Sequence, residues 1–258
     1  PDARDHLFAA PLSAFPQGLP DAVDLRPHCP PVYDQGQLGS CTGNAIAAAL
    51  EFDQMKQGLR RFTPSRLFIY FNERAIEGCI PQDNGAQIRD GIKSVAKIGA
   101  CPESQWPYHV RKFATHPPAA CYASAKLETA LHYARVAQEL IQMQGCLAAG
   151  FPFVFGFTVY DSFESGAMAK SVMLPMPGVH EKTQGGHAVL AVGYDNRTRM
   201  MIVRNSWGPR WGKKGYFMMP YEFIVGSHYA SDFWTIRSIG PAPDAPPQTD
   251  RSPPSCSR

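Results

Sequence analysis

Apolar positions change their rhythm halfway along this chain. In the first half they recur at helical spacing. Residues 42–57 are Ala-rich, with Ile46, Ala49, Leu50 and Phe52 on a largely buried helix that ends at Gly58. A second helix is predicted over 64–77, opened by Thr63 and Pro64, a third over 87–98 and a fourth over 126–144. After Gly150 the apolar residues bunch into short β-prone runs at 153–159, 187–194, 199–204, 215–219 and 233–236, separated by Gly, Pro and Asn/Asp turns. A helix-rich half followed by a strand-rich half predicts an α+β protein of two subdomains with a cleft between them.

Composition narrows the class. At 258 residues, with 44% hydrophobic and 18% charged positions, the chain has the make-up of an ordinary globular protein. Its longest apolar stretch, 150–159, contains Pro152 and Gly156 and falls short of the ~18 residues of a membrane span, so no membrane partner is expected. A net charge of +3 is too small for a nucleic-acid surface, and Arg60, Arg61 and Arg66 read as a solvated basic patch where a helix begins. Seven cysteines cannot all pair, and none are spaced as C-x-x-C, so a free thiol is expected and a metal site is not. The first residue is Pro1 and not Met, from which removal of a preceding segment is expected. Residues 1–18 show no period, and 240–258, with six prolines, read as a flexible tail.

Three segments carry candidate chemistry. Cys41 lies in Gln37-Leu38-Gly39-Ser40-Cys41-Thr42, just ahead of the first predicted helix, where unpaired amides and the helix dipole favour a thiolate. His187 follows Gly185-Gly186 at the start of an apolar strand. Asn205 lies in Asn205-Ser206-Trp207-Gly208-Pro209-Arg210-Trp211-Gly212. A thiolate attacks, an imidazole shuttles the proton, and a side-chain amide orients the ring without adding a second charge. The ordinary alternative for each, an inert core cysteine or a packed histidine, gives way to the three together.

In this order the three segments resemble the papain-like cysteine peptidases, and so does the opening Leu19-Pro20-Asp21-Ala22-Val23-Asp24-Leu25-Arg26-Pro27. The resemblance covers roughly 19–238 and is loose over 100–150. It implies a helical left subdomain and a β-barrel-like right subdomain, with Cys41 on one wall of the cleft and His187 and Asn205 on the other. It assigns Gln35, six residues before Cys41, to an oxyanion hole shared with the Cys41 amide. Trp207 is then expected to shield the His–Asn pair. Gly85 and Ala86 are expected to pair with an extended peptide, while Ile88 and Gly156 line the pocket for the second residue before the scissile bond. Gly186, where plant members commonly carry Asp, is counted with the substrate-binding residues. Trp106-Pro107-Tyr108 matches a structural segment, and Thr42 stands where the family usually has Trp.

At Leu38 the familiar relatives carry a disulfide-bonded cysteine, so their usual bridge is absent here and a divergent, bacterial branch is indicated. The activity implied is endopeptidase hydrolysis of a peptide or protein substrate through an acyl-enzyme, by a monomer, with no cofactor and no metal. Acyl transfer by the same groups, or a papain fold retained for binding, are the rival readings. Added amine separates the first rival, and the full set of catalytic side chains argues against the second. Domain limits follow as an extension at 1–18, a peptidase domain at 19–239 and a tail at 240–258. The extension either covers part of the cleft, as an autoinhibitory segment, or frays as a terminus.

Overall fold

A computed structural model of the protein describes residues 5–59 and 61–242. Its helices are α1 (Cys41–Lys56), α2 (Arg66–Glu77), α3 (Ile88–Lys97), α4 (Ala119–Ala125), α5 (Leu140–Ala148), α6 (Asp161–Glu164), α7 (Gly166–Ser171) and α8 (Tyr221–Val225). The strands are β1 (Ala22–Asp24), β2 (Thr129–Arg135), β3 (Phe153–Tyr160), β4 (Thr183–Asp195), β5 (Met200–Arg204), β6 (Tyr216–Pro220) and β7 (Ala230–Gly240). Antiparallel pairing runs in the order β2-β7-β3-β4-β5-β6, with β1 added beside β4. No described helix is long and apolar enough to cross a membrane.

The sheet separates two cores, which is why its strands read as continuous apolar runs. Along β3, Phe153, Phe155 and Phe157 enter one core and Val154 the other; along β4, Val189 and Ala191 alternate in the same way with Ala188, Leu190 and Val192. Each buried Phe, Val or Leu among them contributes about 1.5–3 kcal/mol. The second core is closed by α1, which is buried along nearly its whole length because Ala45, Ala47, Ala48 and Ala49 let it approach β4. Gly43 does the same toward α2: a Cβ there would meet the Arg66 carbonyl oxygen at 2.8 Å. The cleft follows from this arrangement, with the N-terminus of α1 facing the start of β4.

Two expectations are corrected. Residues 126–144 are not one helix, because 129–135 pair with β7 from Thr129 opposite Gly240 to Arg135 opposite Trp234. Long-range pairing there overrides local helix propensity, and α5 begins only at Leu140. The basic patch is not solvated throughout. Arg66 is buried and grips Glu103 with two hydrogen bonds of 2.8 and 2.7 Å. Arg61 reaches the buried Glu51 carboxylate at 3.0 Å, and Arg60 lies outside the described residues. Residues 5–10 dock beside β2 and α5. His6 and Phe8 pair with Arg135 through backbone hydrogen bonds of 2.7 and 2.8 Å, and Phe8 is buried in the first core. That anchoring draws the segment along β2, leaving Asp5 to meet Arg89 at 2.6 Å. Residues 1–4 and the tail from 243 lie outside the described residues.

Candidate active site

Cys41 is the first residue of α1 and keeps part of its surface open. The amides of Ala188 and Thr42 approach its sulfur. Burial pushes the neutral Cys41 thiol up to about 11, with the buried Glu73 carboxyl adding to the rise; it also pushes His187 down to about 4. Both shifts are penalties on a lone charge. Moving the proton from sulfur to ring creates two opposite charges at once, each offsetting the penalty on the other, so ionisation belongs to the pair.

His187 opens the apolar part of β4, opposite Phe157 on β3. Its ring stacks obliquely on Trp207, with centroids 5.0 Å apart, and meets Phe157 edge-on at 5.7 Å. Its Nε2 lies 2.7 Å from Asn205 Oδ1, which also accepts from the Ser206 amide at 2.8 Å. The amide oxygen can only accept, so Nε2 carries the proton and Nδ1 keeps its lone pair.

Gln35 sits behind the nucleophile, held from both ends. Its backbone N–H donates to the Ser206 carbonyl at 2.9 Å, and its Oε1 accepts from Ser206 Oγ at 2.6 Å. This fixes the amide plane with Nε2 toward Leu38 O at 3.0 Å, leaving one N–H of that group for a ligand.

Two cavities, of about 400 and 370 Å³, share Cys41, Asn84, Gly85, Gly186 and His187 along their lining and so form one cleft. The first also takes in Ala86, Ile88 and Gly156; the second takes in Gln35 and Trp207. Every catalytic or substrate-binding residue expected from the sequence thus lines the cleft, except Asn205, which stands behind His187. Gly156 faces Ile88, whose Cδ1 is 3.4 Å from the site of a Cβ on the glycine. The lining of the first cavity mixes apolar and polar groups, among them Asp232, which accepts from Trp234 Nε1 at 2.7 Å and from the Arg89 amide at 3.1 Å. Among the described residues no three His, Cys, Asp or Glu side chains converge as metal ligands do.

Sequence reasoning missed the second layer. Tyr108, read as merely structural, donates to the Gln35 carbonyl at 2.9 Å and lies 2.5 Å from Ser40 Oγ. The Arg66 guanidinium stacks on the Tyr108 ring at 4.1 Å and donates to Asp34 O at 3.1 Å and Asn44 Oδ1 at 3.2 Å. Thr42 donates to Glu73 Oε2 at 2.6 Å, beneath the nucleophile. Ser206 had a signal, being inside the Asn-Ser-Trp-Gly run; the others carried none, since their partners are distant in sequence.

Comparison with known proteins agrees with this geometry. The family model described as papain family cysteine protease matches residues 19–228. An uncharacterized peptidase C1-like protein of Acanthamoeba polyphaga mimivirus is 42% identical, over 93% of this chain and 85% of the relative. Cathepsin B-like CP2 of Giardia intestinalis is 30% identical, over 82% and 73% of the two chains. The crystal structure of xylellain, a cysteine protease from Xylella fastidiosa, superimposes with a TM-score of 0.85 at 44% identity, covering 92% of this chain and 93% of that one. With a match this long and relatives this similar, the chain belongs to the papain family of cysteine proteases.

Proposed function

We propose that this protein is a cysteine endopeptidase in which Cys41 is the nucleophile, His187 the proton carrier, Asn205 its orienting group and Gln35 an oxyanion donor. The observation that carries the reading is the 2.7 Å His187–Asn205 hydrogen bond, which turns Nδ1 free on a ring that shares the cleft with Cys41. His187 Nδ1 takes the thiol proton, and the sulfur attacks the scissile carbonyl carbon. The carbonyl oxygen becomes an oxyanion held by the Cys41 N–H and the free N–H of Gln35 Nε2. As the tetrahedral species collapses, the C–N bond breaks and the leaving amine takes the proton from His187. Water, deprotonated by the same ring, then hydrolyses the thioester and restores the thiol.

The substrate lies extended, pairing with backbone at Gly85–Ala86, and its second side chain before the scissile bond enters between Ile88 and Gly156. Asp232 in the lining of the same cavity favours a side chain that can reach it with a donor. Trp207 covers the His187–Asn205 pair, and Gly186 leaves the approach to His187 open. Residues 19–239 are the peptidase unit, acting as a monomer, with the segment before it docked at Arg89 and Arg135.

Hydrolysis of fluorogenic peptides tests the reading. The parent should turn over and should be inactivated stoichiometrically by an epoxysuccinyl reagent attached to Cys41, and Cys41→Ala should abolish both. Residual turnover in Cys41→Ala, or labelling at another cysteine, would refute it.

A further inference from the structure

The loop 34–40 carries Gln35 and leads into the Cys41 amide, and one of its peptide groups is held at both ends. The carbonyl of Leu38 accepts from Gln35 Nε2 at 3.0 Å and from the Ser40 amide at 2.8 Å. The N–H of the same rigid peptide unit, that of Gly39, donates to the Asp83 carboxylate at 3.1 and 3.2 Å. Asp83 is itself fixed, because the Tyr70 hydroxyl of α2 donates to its Oδ1 at 2.6 Å. Gly39 permits this approach: a Cβ there would lie 3.0 Å from Asp83 Oδ1 and 3.4 Å from the Gly85 amide nitrogen. No disulfide joins the described cysteines, and the Leu38 side chain is buried among Leu67, Phe68 and Tyr70. The loop is therefore joined to the Gly85 segment by a carboxylate and not by a covalent bridge.

We propose that Asp83 is a positioning residue for the oxyanion hole: with Tyr70 it fixes the Leu38–Gly39 peptide, and through that peptide both Gln35 and the Cys41 amide. A peptide plane gripped at its N–H end cannot tilt without moving its carbonyl, and the carbonyl is what Gln35 rests on. Asp83 also lies two residues before Gly85, so one carboxylate ties the oxyanion loop to the backbone on which the substrate lies. Removing it leaves the Cys41–His187 pair in place and loosens only the donors. The inference rests on the oxyanion reading of Gln35.

The test uses the whole chain with Asp83→Ala, Tyr70→Phe, Gln35→Ala and the double variant Asp83→Ala/Gln35→Ala. Loss of an oxyanion donor costs about 10²–10³ in turnover, so Gln35→Ala should fall in that range. Asp83→Ala, which misplaces donors without deleting one, should lower kcat about tenfold and change KM less than about threefold. Tyr70→Phe should do the same to a smaller extent, about threefold, and it guards against an Asp83 variant that fails to fold. Two readouts separate positioning from general damage. The rate of Cys41 alkylation by iodoacetamide should be unchanged, and the double variant should be little slower than Gln35→Ala alone. A normal Asp83→Ala kcat beside a slow Gln35→Ala would overturn this inference alone, as would additive losses or a parallel fall in alkylation. A normal Gln35→Ala kcat would overturn the oxyanion reading and this inference together.

Discussion

Replacing His187 by Gln isolates what the imidazole does for Cys41. Gln fills much of the same space beside Trp207 and Phe157 and carries no titrating proton. With the ring gone, burial acts on the thiol unopposed and holds it up at about 11. At pH 7 such a thiol is on the order of 10⁻⁴ ionised. In the proposed Cys41–His187 pair the proton rests on His187, and the amides of Ala188 and Thr42, at the positive end of α1, receive the sulfur charge. Alkylation of Cys41 at pH 7 should therefore fall about 10³-fold or more in His187→Gln. Its rate should then climb about tenfold per pH unit up to roughly pH 10, in place of the parent's plateau at neutral pH. Iodoacetamide labelling followed cysteine by cysteine by mass spectrometry measures this directly, with half-buried Cys79 as the internal control. A Cys41 rate within about threefold of the parent at pH 7 would refute the argument, because the thiolate would then owe nothing to His187.

Two further predictions concern stability. Burial raises Glu73 to about 8, above its unfolded value near 4.5, so the folded state holds an extra proton between those pH values. Its favourable contribution is complete below about pH 4.5 and is lost by up to about 1.4 kcal/mol per pH unit as pH rises toward 8. The urea midpoint of Glu73→Gln relative to the parent should thus rise from pH 5 to pH 8, and a constant difference would contradict this. Arg66→Met leaves Glu103 and the Asp34 carbonyl without their donor, and it should cost about 2–3 kcal/mol in urea unfolding while lowering kcat through the Asp34–Gln35 segment; a cost under about 1 kcal/mol would show the pair to be dispensable.

The fold was readable where local pattern and tertiary role agree. Helix α1 begins one residue before the predicted Thr42 and ends at Lys56, because the capping turn and the Ala-rich face report packing directly. Strands β3, β4 and β5 were found as apolar runs, since a sheet buried on both faces needs apolar residues at every step. Residues 126–144 failed for the opposite reason. Their Ala, Leu and Glu residues suit a helix, and only the pairing with β7, more than 90 residues away, makes Thr129–Arg135 a strand. The same limit hid the docking of residues 5–10, which depends on one buried ring, Phe8, and on backbone hydrogen bonds to Arg135.

At the site, residues whose roles need a fixed chemical type were visible, and those that hold them were not. A thiol ahead of a helix, an imidazole opening a strand and an amide beside two tryptophans serve nucleophilic catalysis together and little else. Asp83, Tyr108, Arg66 and Glu73 are ordinary residues until folding gives them partners: Asp83 meets Gly39 and Arg66 meets Asp34, 44 and 32 positions away. Their polar bonds all converge on the segment 34–42, where Tyr108 takes the Gln35 carbonyl, Asp83 the Gly39 amide and Glu73 the Thr42 hydroxyl. A donor must be held to within a few tenths of an ångström to stabilise an oxyanion. This chain meets that demand with no disulfide among its described cysteines, by spreading the constraint over several side-chain hydrogen bonds. Such a design ties turnover to charged side chains outside the catalytic set, so activity and stability should respond together to substitutions at Arg66 and Asp83, and separately at Cys41, where the chemistry changes and the scaffold does not.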